Sequence, residues 1–80
     1  MPWYFIDSLD GNVDVVDYEG QDLPDDETAR TMALKALPDM AKDRILEGDE
    51  RLFSVFVRRD GHTIFSSTLT LRGGWLKANK

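Results

Sequence analysis

Apolar and polar side chains alternate with a period of two near both ends of the chain, as they do in half-buried β-strands. The strand-like segments are residues 3–9, 12–18, 51–58 and 62–71. Asp10-Gly11 joins the first two segments and Asp60-Gly61 joins the last two, and Asp-Gly is a favoured dipeptide of two-residue hairpin turns. The pattern therefore predicts two β-hairpins that share one turn chemistry.

Between the hairpins the apolar spacing changes to three and four residues, which predicts one amphipathic helix. The residues that carry this period are Ala29, Ala33, Ala36, Leu37, Met40 and Ala41. The stretch from Glu19 to Pro24 breaks the preceding strand pattern with a glycine and a proline, and Asp25 is placed to cap a helix that begins at about Asp26. Pro38 lies inside the period, which continues beyond it, so we expect one kinked helix over residues 26–47 that ends near Gly48.

These elements predict an α+β fold of order β-β-α-β-β, with a four-stranded antiparallel sheet of two hairpins and the helix packed on one face. The two-residue period assigns one layer of the second hairpin to the helix, namely Phe53, Val55, Val57, Phe65, Leu69 and Leu71. Leu52, Phe56 and Ile64 then lie on the opposite face among serines and threonines. Because one helix covers one face only, we expect an uncovered apolar sheet face.

The length of 80 residues suits a single domain, which we place at residues 1–72. Residues 73–80 form a tail that begins with two glycines and continues with the apolar pair Trp75-Leu76. Three alternatives stay open for this pair: Trp75 folds back over the sheet of its own subunit, it docks on a partner, or it is disordered.

Composition narrows the class of protein. A hydrophobic fraction of 41% with eight aromatic residues argues against intrinsic disorder. The absence of cysteine excludes disulfides, thiolate metal sites and a cysteine nucleophile. No stretch approaches the ~20 apolar residues of a membrane span, and the start of the chain lacks the pattern of a signal peptide. We therefore expect a cytoplasmic protein that does not bind membranes.

The net charge of −5 is distributed unevenly along the chain. Residues 1–50 hold 14 acidic and four basic side chains, whereas residues 51–80 hold one acidic and six basic side chains. Two interpretations stay open: the acids belong to solvent-facing loops and the helix start, or they form a surface that binds a partner. A pI near 4.6 argues against direct binding to nucleic acid.

The residues that catalysis or metal binding requires do not form a recognisable constellation. His62 is the single histidine, and it directly follows the tip of the second hairpin, where no third group orients it. The carboxylates of Asp25, Asp26 and Glu27 lie where a helix dipole attracts acids without any catalytic role. We predict no catalytic residue, no metal site and no cofactor.

One combination of motifs resembles a known family. Tyr4-Phe5 and the Asp10-Gly11 turn are followed by Glu19-Gly20, Leu23-Pro24-Asp25 and the alanine-rich helix, and the later segment Phe56-Val57-Arg58-Arg59-Asp60-Gly61 fits the second hairpin. This pattern is similar to a family of small bacterial domains of unknown function, of about this length. The resemblance implies the fold described above and no activity.

The apolar sheet face carries the functional expectation. We expect a non-enzymatic binding or assembly module that forms a homodimer or holds a protein partner. Leu52, Phe56 and Ile64 are the predicted contact residues, together with Trp75 and Leu76 from the tail. The alternative is an acidic inhibitor, of the anti-CRISPR or another DNA-mimic type, which binds a nucleic-acid-binding machine.

Overall fold

A computed structural model describes residues 2–77. Its elements are β1 (Trp3–Asp10), β2 (Val13–Val15), β3 (Gln21–Asp22), α1 (Asp26–Arg44), β4 (Glu50–Arg59) and β5 (His62–Arg72). All strand pairs are antiparallel, and they join in the order β2-β1-β4-β5, with β3 also paired to β1. The α+β class and the order of hairpin, helix and hairpin are confirmed.

The sheet has five strands rather than the four expected. The additional strand is β3, in which Gln21 pairs with Tyr4 and Asp22 pairs with Trp3. Gly20 precedes it with a positive φ of 72°, which lets the chain return to β1. Two residues are too few to show a period, so this strand leaves no pattern in the sequence.

The edge strand predicted over residues 12–18 ends early, at Val15. The cause is Asp17, whose side chain takes the place of a strand partner. Its Oδ2 accepts a hydrogen bond from the backbone N–H of Ile6 at 3.1 Å. In return, the backbone N–H of Asp17 donates to Oδ1 of Asp7 at 2.9 Å. These bonds hold the chain beside β1 without a regular ladder.

The two hairpin turns differ, contrary to the expectation of one shared turn chemistry. In the second hairpin Asp60 and Gly61 both have positive φ, of 54° and 78°, as a type I′ turn requires. In the first hairpin Asp10 still pairs with Val13, so the turn residues are Gly11 and Asn12. Only Gly11 has a positive φ there, which is the pattern of a type II′ turn.

The core lies between α1 and one face of the sheet. The layer predicted to face the helix is confirmed at Phe53, Val55 and Val57, which are fully buried, and Phe65 packs against the same cluster. Tyr4 of β1 completes the buried sheet side. The helix contributes Ala29, Ala33, Leu37 and Ala41. Since the alanine side chain ends at Cβ, these residues let the helix pack closely on β4, and the core needs few large side chains.

The helix begins where the sequence predicts and ends sooner. Oδ1 of Asp25 caps it by accepting from the backbone N–H and the hydroxyl of Thr28, at 2.8 and 2.6 Å. One helix continues through Pro38, as expected, but it ends at Arg44 rather than at residue 47. Beyond Ala41 no residue of this segment is buried, so no packing supports a further turn.

Candidate functional site

The face of the sheet opposite the helix holds two of the predicted contact residues. Leu52 and Phe56 lie on it, with Leu52 opposite Thr70 and Phe56 opposite Ser66 of β5. The side chain of Leu52 is 43% exposed, and that of Phe56 is half-buried. Between them Ser54 is buried and shares a hydrogen bond of 2.9 Å with the hydroxyl of Thr68. The two apolar side chains therefore flank a satisfied polar pair.

Ile64, the third predicted contact on the sheet, lies at an irregularity. Val57 pairs with Phe65, but the next residue, Arg58, pairs with Thr63, so the register skips Ile64. Such a bulge places two residues of β5, Thr63 and Ile64, opposite Arg58 alone. Ile64 is 37% exposed at this point of the edge strand.

Trp75 and Leu76 follow β5 and extend away from the core. Trp75 is 96% exposed and Leu76 is nearly as exposed, so Trp75 does not fold back over the sheet of its own subunit. The structure thus does not bring the tail pair together with Leu52 and Phe56. The remainder of the predicted tail, residues 78–80, lies outside the described residues.

A loop that sequence reasoning missed packs against the half of this face that belongs to β1. We call residues 16–20 the covering loop. Arg58 anchors it: Nε and Nη2 donate to the carboxylate of Asp7 at 2.6 and 3.1 Å, and Nη2 also donates to the backbone oxygen of Asp17 at 2.8 Å. The guanidinium lies 4.8 Å from the centre of the Phe5 ring, within cation–π range. One arginine therefore joins β1, β4 and the covering loop.

The end of the covering loop packs tightly on two aromatic side chains. Nε1 of Trp3 donates to the backbone oxygen of Glu19 at 3.0 Å. A Cβ on Gly20 would collide with Nε1 of Trp3 and would lie 2.8 Å from Cε2 of Phe5, which is closer than carbon contacts allow. Only glycine fits here. The sequence signal for this contact was the Glu19-Gly20 pair. This pair is one of the motifs of the family resemblance, but the resemblance gives no structural role for it.

Hydrogen bonds favour the ionised form of Asp17 in the covering loop and of Asp7 in β1 beneath it. Burial opposes ionisation of Asp7, but hydrogen bonds from Arg58 and from the N–H of Asp17 outweigh it and lower its pKa. The pKa of Asp17 is lowered chiefly by the hydrogen bond from the N–H of Gly20, with further bonds from Ile6 and Glu19. These carboxylates are engaged in holding the loop and are unsuited to general acid–base chemistry at neutral pH.

Two further ionic clusters tie the helix to the sheet. At the start of the helix, Asp26 accepts from the hydroxyl of Tyr4 at 2.5 Å and from Arg59. At the end of the helix, the carboxylate of Asp10 forms ion pairs with Nε of Arg51 at 2.7 Å and with Nε of Arg44 at 3.2 Å. Each cluster pairs acids with bases inside one subunit, which is the arrangement of a structural ion pair rather than of a substrate site.

The single histidine, His62, is exposed at the first residue of β5, opposite Arg59. Among residues 2–77 no group of three or more histidine, aspartate or glutamate side chains is arranged to hold a metal ion. The helix within this range is not long and apolar enough to cross a membrane.

What remains open on the sheet is a surface without charge. We call it the neutral surface and define it as Leu52 and Phe56 together with residues 63–71 of β5. No charged side chain occurs in residues 63–71, and Ser66, Thr68 and Thr70 are exposed. β5 is also the outer strand on its side of the sheet, with eleven residues. The neutral surface is therefore both a face and an edge.

Comparisons with known proteins place the chain in a family but add no activity. Neither the curated proteins nor the solved structures contain a match. One protein-family profile matches residues 3–70, which run from the first residue of β1 nearly to the end of β5. Because this match covers most of the chain, the protein belongs to the family described as Domain of unknown function (DUF6894).

Proposed function

We propose that this chain is a non-enzymatic assembly module that forms a homodimer through its neutral surface. The observation that carries the proposal is the unprotected edge of β5. Natural proteins commonly guard such an edge with charged side chains, proline or very short strands. β5 is eleven residues long, contains no proline and carries charge only at its ends. A partner strand that pairs with this edge in every molecule would prevent such an edge from causing aggregation.

Charge favours a second copy as that partner. Two copies of a chain with a net charge of −5 repel each other, and the repulsion is least where the contact lies far from the acids. The strand β5, which forms most of the neutral surface, contains no acidic side chain, and its one cationic side chain is Arg72 at its end. The neutral surface is thus the part of the molecule where like copies approach at the lowest electrostatic cost.

The acidic inhibitor is not the function we propose. Six of the 14 acidic side chains in residues 1–50 already accept hydrogen bonds within the fold, namely Asp7, Asp10, Asp17, Asp25, Asp26 and Glu47. The excess of acid that is available to a basic partner is therefore smaller than the sequence suggests.

Light scattering during size-exclusion chromatography tests the proposal. The purified chain is expected to elute with twice its mass of 9.1 kDa. Ser66→Lys places a charge in the middle of the neutral surface, at an exposed position, and should shift the protein to the monomer. Thr31→Lys adds the same charge at an exposed position of the helix and should leave the dimer intact. A mass of 9.1 kDa for the unmodified chain at high concentration contradicts the proposal.

A further inference from the structure

The direction of the backbone groups of β5 follows from one hydrogen bond on the other side of β4. The N–H of Gly11 donates to the carbonyl oxygen of Leu52 at 3.0 Å, so the backbone groups of Leu52 point towards β1. Along a strand these groups alternate between the two neighbours. Those of Phe53, Val55 and Val57 therefore point towards β5.

The same alternation identifies the outward groups of β5. Phe65, Ser67 and Leu69 pair with the three β4 residues that point towards them, so their backbone groups are engaged in the ladder. The residues between and beyond them, Ser66, Thr68 and Thr70, turn their N–H and C=O groups outward. Within the described residues no strand pairs with this side. A partner strand would therefore meet outward N–H and C=O groups at three residues, each two positions from the next.

The side chains of β5 are arranged almost symmetrically about Ser67. One residue away on either side lie the hydroxyl residues Ser66 and Thr68, and two residues away lie the apolar Phe65 and Leu69. When such a strand pairs antiparallel with its own copy, Phe65 faces the partner's Leu69. Aromatic and aliphatic side chains on directly opposed positions stabilise antiparallel pairs, and so do paired hydroxyl residues. A strand of unrelated sequence would match this pattern only by chance.

We infer that two copies join by antiparallel pairing of their β5 edges around a two-fold axis at Ser67, so that the two sheets form one continuous sheet. This inference rests on the proposed self-association and names its geometry. In this arrangement the N–H and C=O groups of Thr68 bond with those of the partner's Ser66, and the symmetry repeats the pair. Ser67 itself forms a non-hydrogen-bonded pair with its own copy.

A cysteine scan tests the geometry, and the chain offers a clean background because it contains no cysteine. Opposed residues of a non-hydrogen-bonded antiparallel pair have Cα atoms about 4.5 Å apart, within the range of a disulfide. Ser67→Cys is therefore expected to give a covalent dimer on mild oxidation. In the matched control Thr70→Cys, the two copies lie about 20 Å apart along the strands and should remain uncrosslinked.

The outcomes separate this geometry from its alternatives. Ser67 lies on the helix side of the sheet, opposite Val55, so two copies that contact each other by their helix-free faces cannot crosslink there. A dimer that crosslinks through Thr68→Cys or Thr70→Cys but not through Ser67→Cys overturns the inference and leaves self-association standing. A monomeric native mass overturns both.

A second pair of variants does not depend on oxidation. Thr68→Pro removes the outward N–H and places a ring on the edge, while the ladder to β4 does not use this N–H. Thr68→Val keeps the N–H, and both variants lose the hydroxyl that bonds Ser54. The loss of two symmetry-related hydrogen bonds should weaken dimerisation of the proline variant by about tenfold or more relative to the valine variant. Equal dissociation constants for the two would refute pairing through this edge.

Discussion

The contact between Gly20 and the aromatic side chains of β1 allows a sharp test of the covering loop. Gly20→Ala introduces a methyl group that collides with Nε1 of Trp3 and lies 2.9 Å from its Cδ1, so the indole must move. Its movement breaks the hydrogen bond to the oxygen of Glu19. The backbone adds a second cost, because φ at Gly20 is 72°, a left-handed conformation that side chains disfavour.

The chain provides controls that separate these costs. Gly61 has a similar φ of 78°, and no atom lies within 4 Å of the position that a Cβ would take, so Gly61→Ala carries the backbone cost alone, about 1–2 kcal/mol. Gly48 has neither a positive φ nor a neighbour, so Gly48→Ala should change stability little. Loss of the hydrogen bond and displacement of the ring should add about 1–3 kcal/mol for Gly20→Ala.

Thermal and urea unfolding at one protein concentration measure the difference, since the midpoint of a self-associating protein depends on concentration. One kcal/mol corresponds to about 4–8 °C in a domain of this size. Trp3 is 51% exposed, and its fluorescence should shift further towards that of a fully exposed indole, whereas Trp75 is already 96% exposed. If Gly20→Ala costs no more than Gly61→Ala, the covering loop does not pack on Trp3 as described.

Three further predictions concern the remaining contacts. Tyr4→Phe removes the hydroxyl that donates to Asp26 while Arg59 still pairs with that acid, and urea unfolding should show a loss of about 1–2 kcal/mol. Asp25→Ala removes the helix cap and should cost about 1 kcal/mol in the same assay, whereas Asp22→Ala, an exposed acid of β3, should cost less. The pKa values of Asp7 and Asp17 are lowered in the folded state from 3.8, so their contribution to stability is present above about pH 4 and is lost as pH falls through the folded values. Asp17→Asn should therefore flatten the fall in unfolding free energy below about pH 4, and an unchanged acid profile would contradict the role given to this carboxylate.

The parts of the fold that the sequence predicts are those with a repeating signal. Asp25 caps the helix because aspartate before an apolar period is a local motif, and Phe53, Val55 and Val57 face the helix because side chains of a strand alternate. The family profile covers the same segments and confirms the resemblance drawn from the motifs around Glu19-Gly20 and Leu23-Pro24-Asp25. Such features depend on residues that lie within one turn or one strand of each other.

The parts that escaped prediction depend on single contacts over long separations. The bulge at Ile64 shifts the register without leaving a trace in the apolar pattern. The end of β2 is decided by Asp17, whose bonds to Ile6 and Asp7 span 11 and 10 residues of sequence. An acid at an alternating position of a predicted strand has the same pattern whether it faces water or replaces a strand partner, so periodicity does not distinguish the two cases.

Asp17 also determines where the covering loop lies on the sheet. Its backbone oxygen accepts a hydrogen bond from Arg58, and its carboxylate accepts hydrogen bonds from the N–H groups of Glu19 and Gly20. One residue therefore holds the covering loop against β1. The loop contacts Phe5 and Trp3 on the β1 side of the predicted apolar face, where Trp3 keeps 51% of its surface exposed, while Leu52 and Phe56 lie beside β5. The opposite edge of the sheet is β5, which is long and carries no charged side chain between His62 and Arg72, and it is the edge that we propose a second copy occupies.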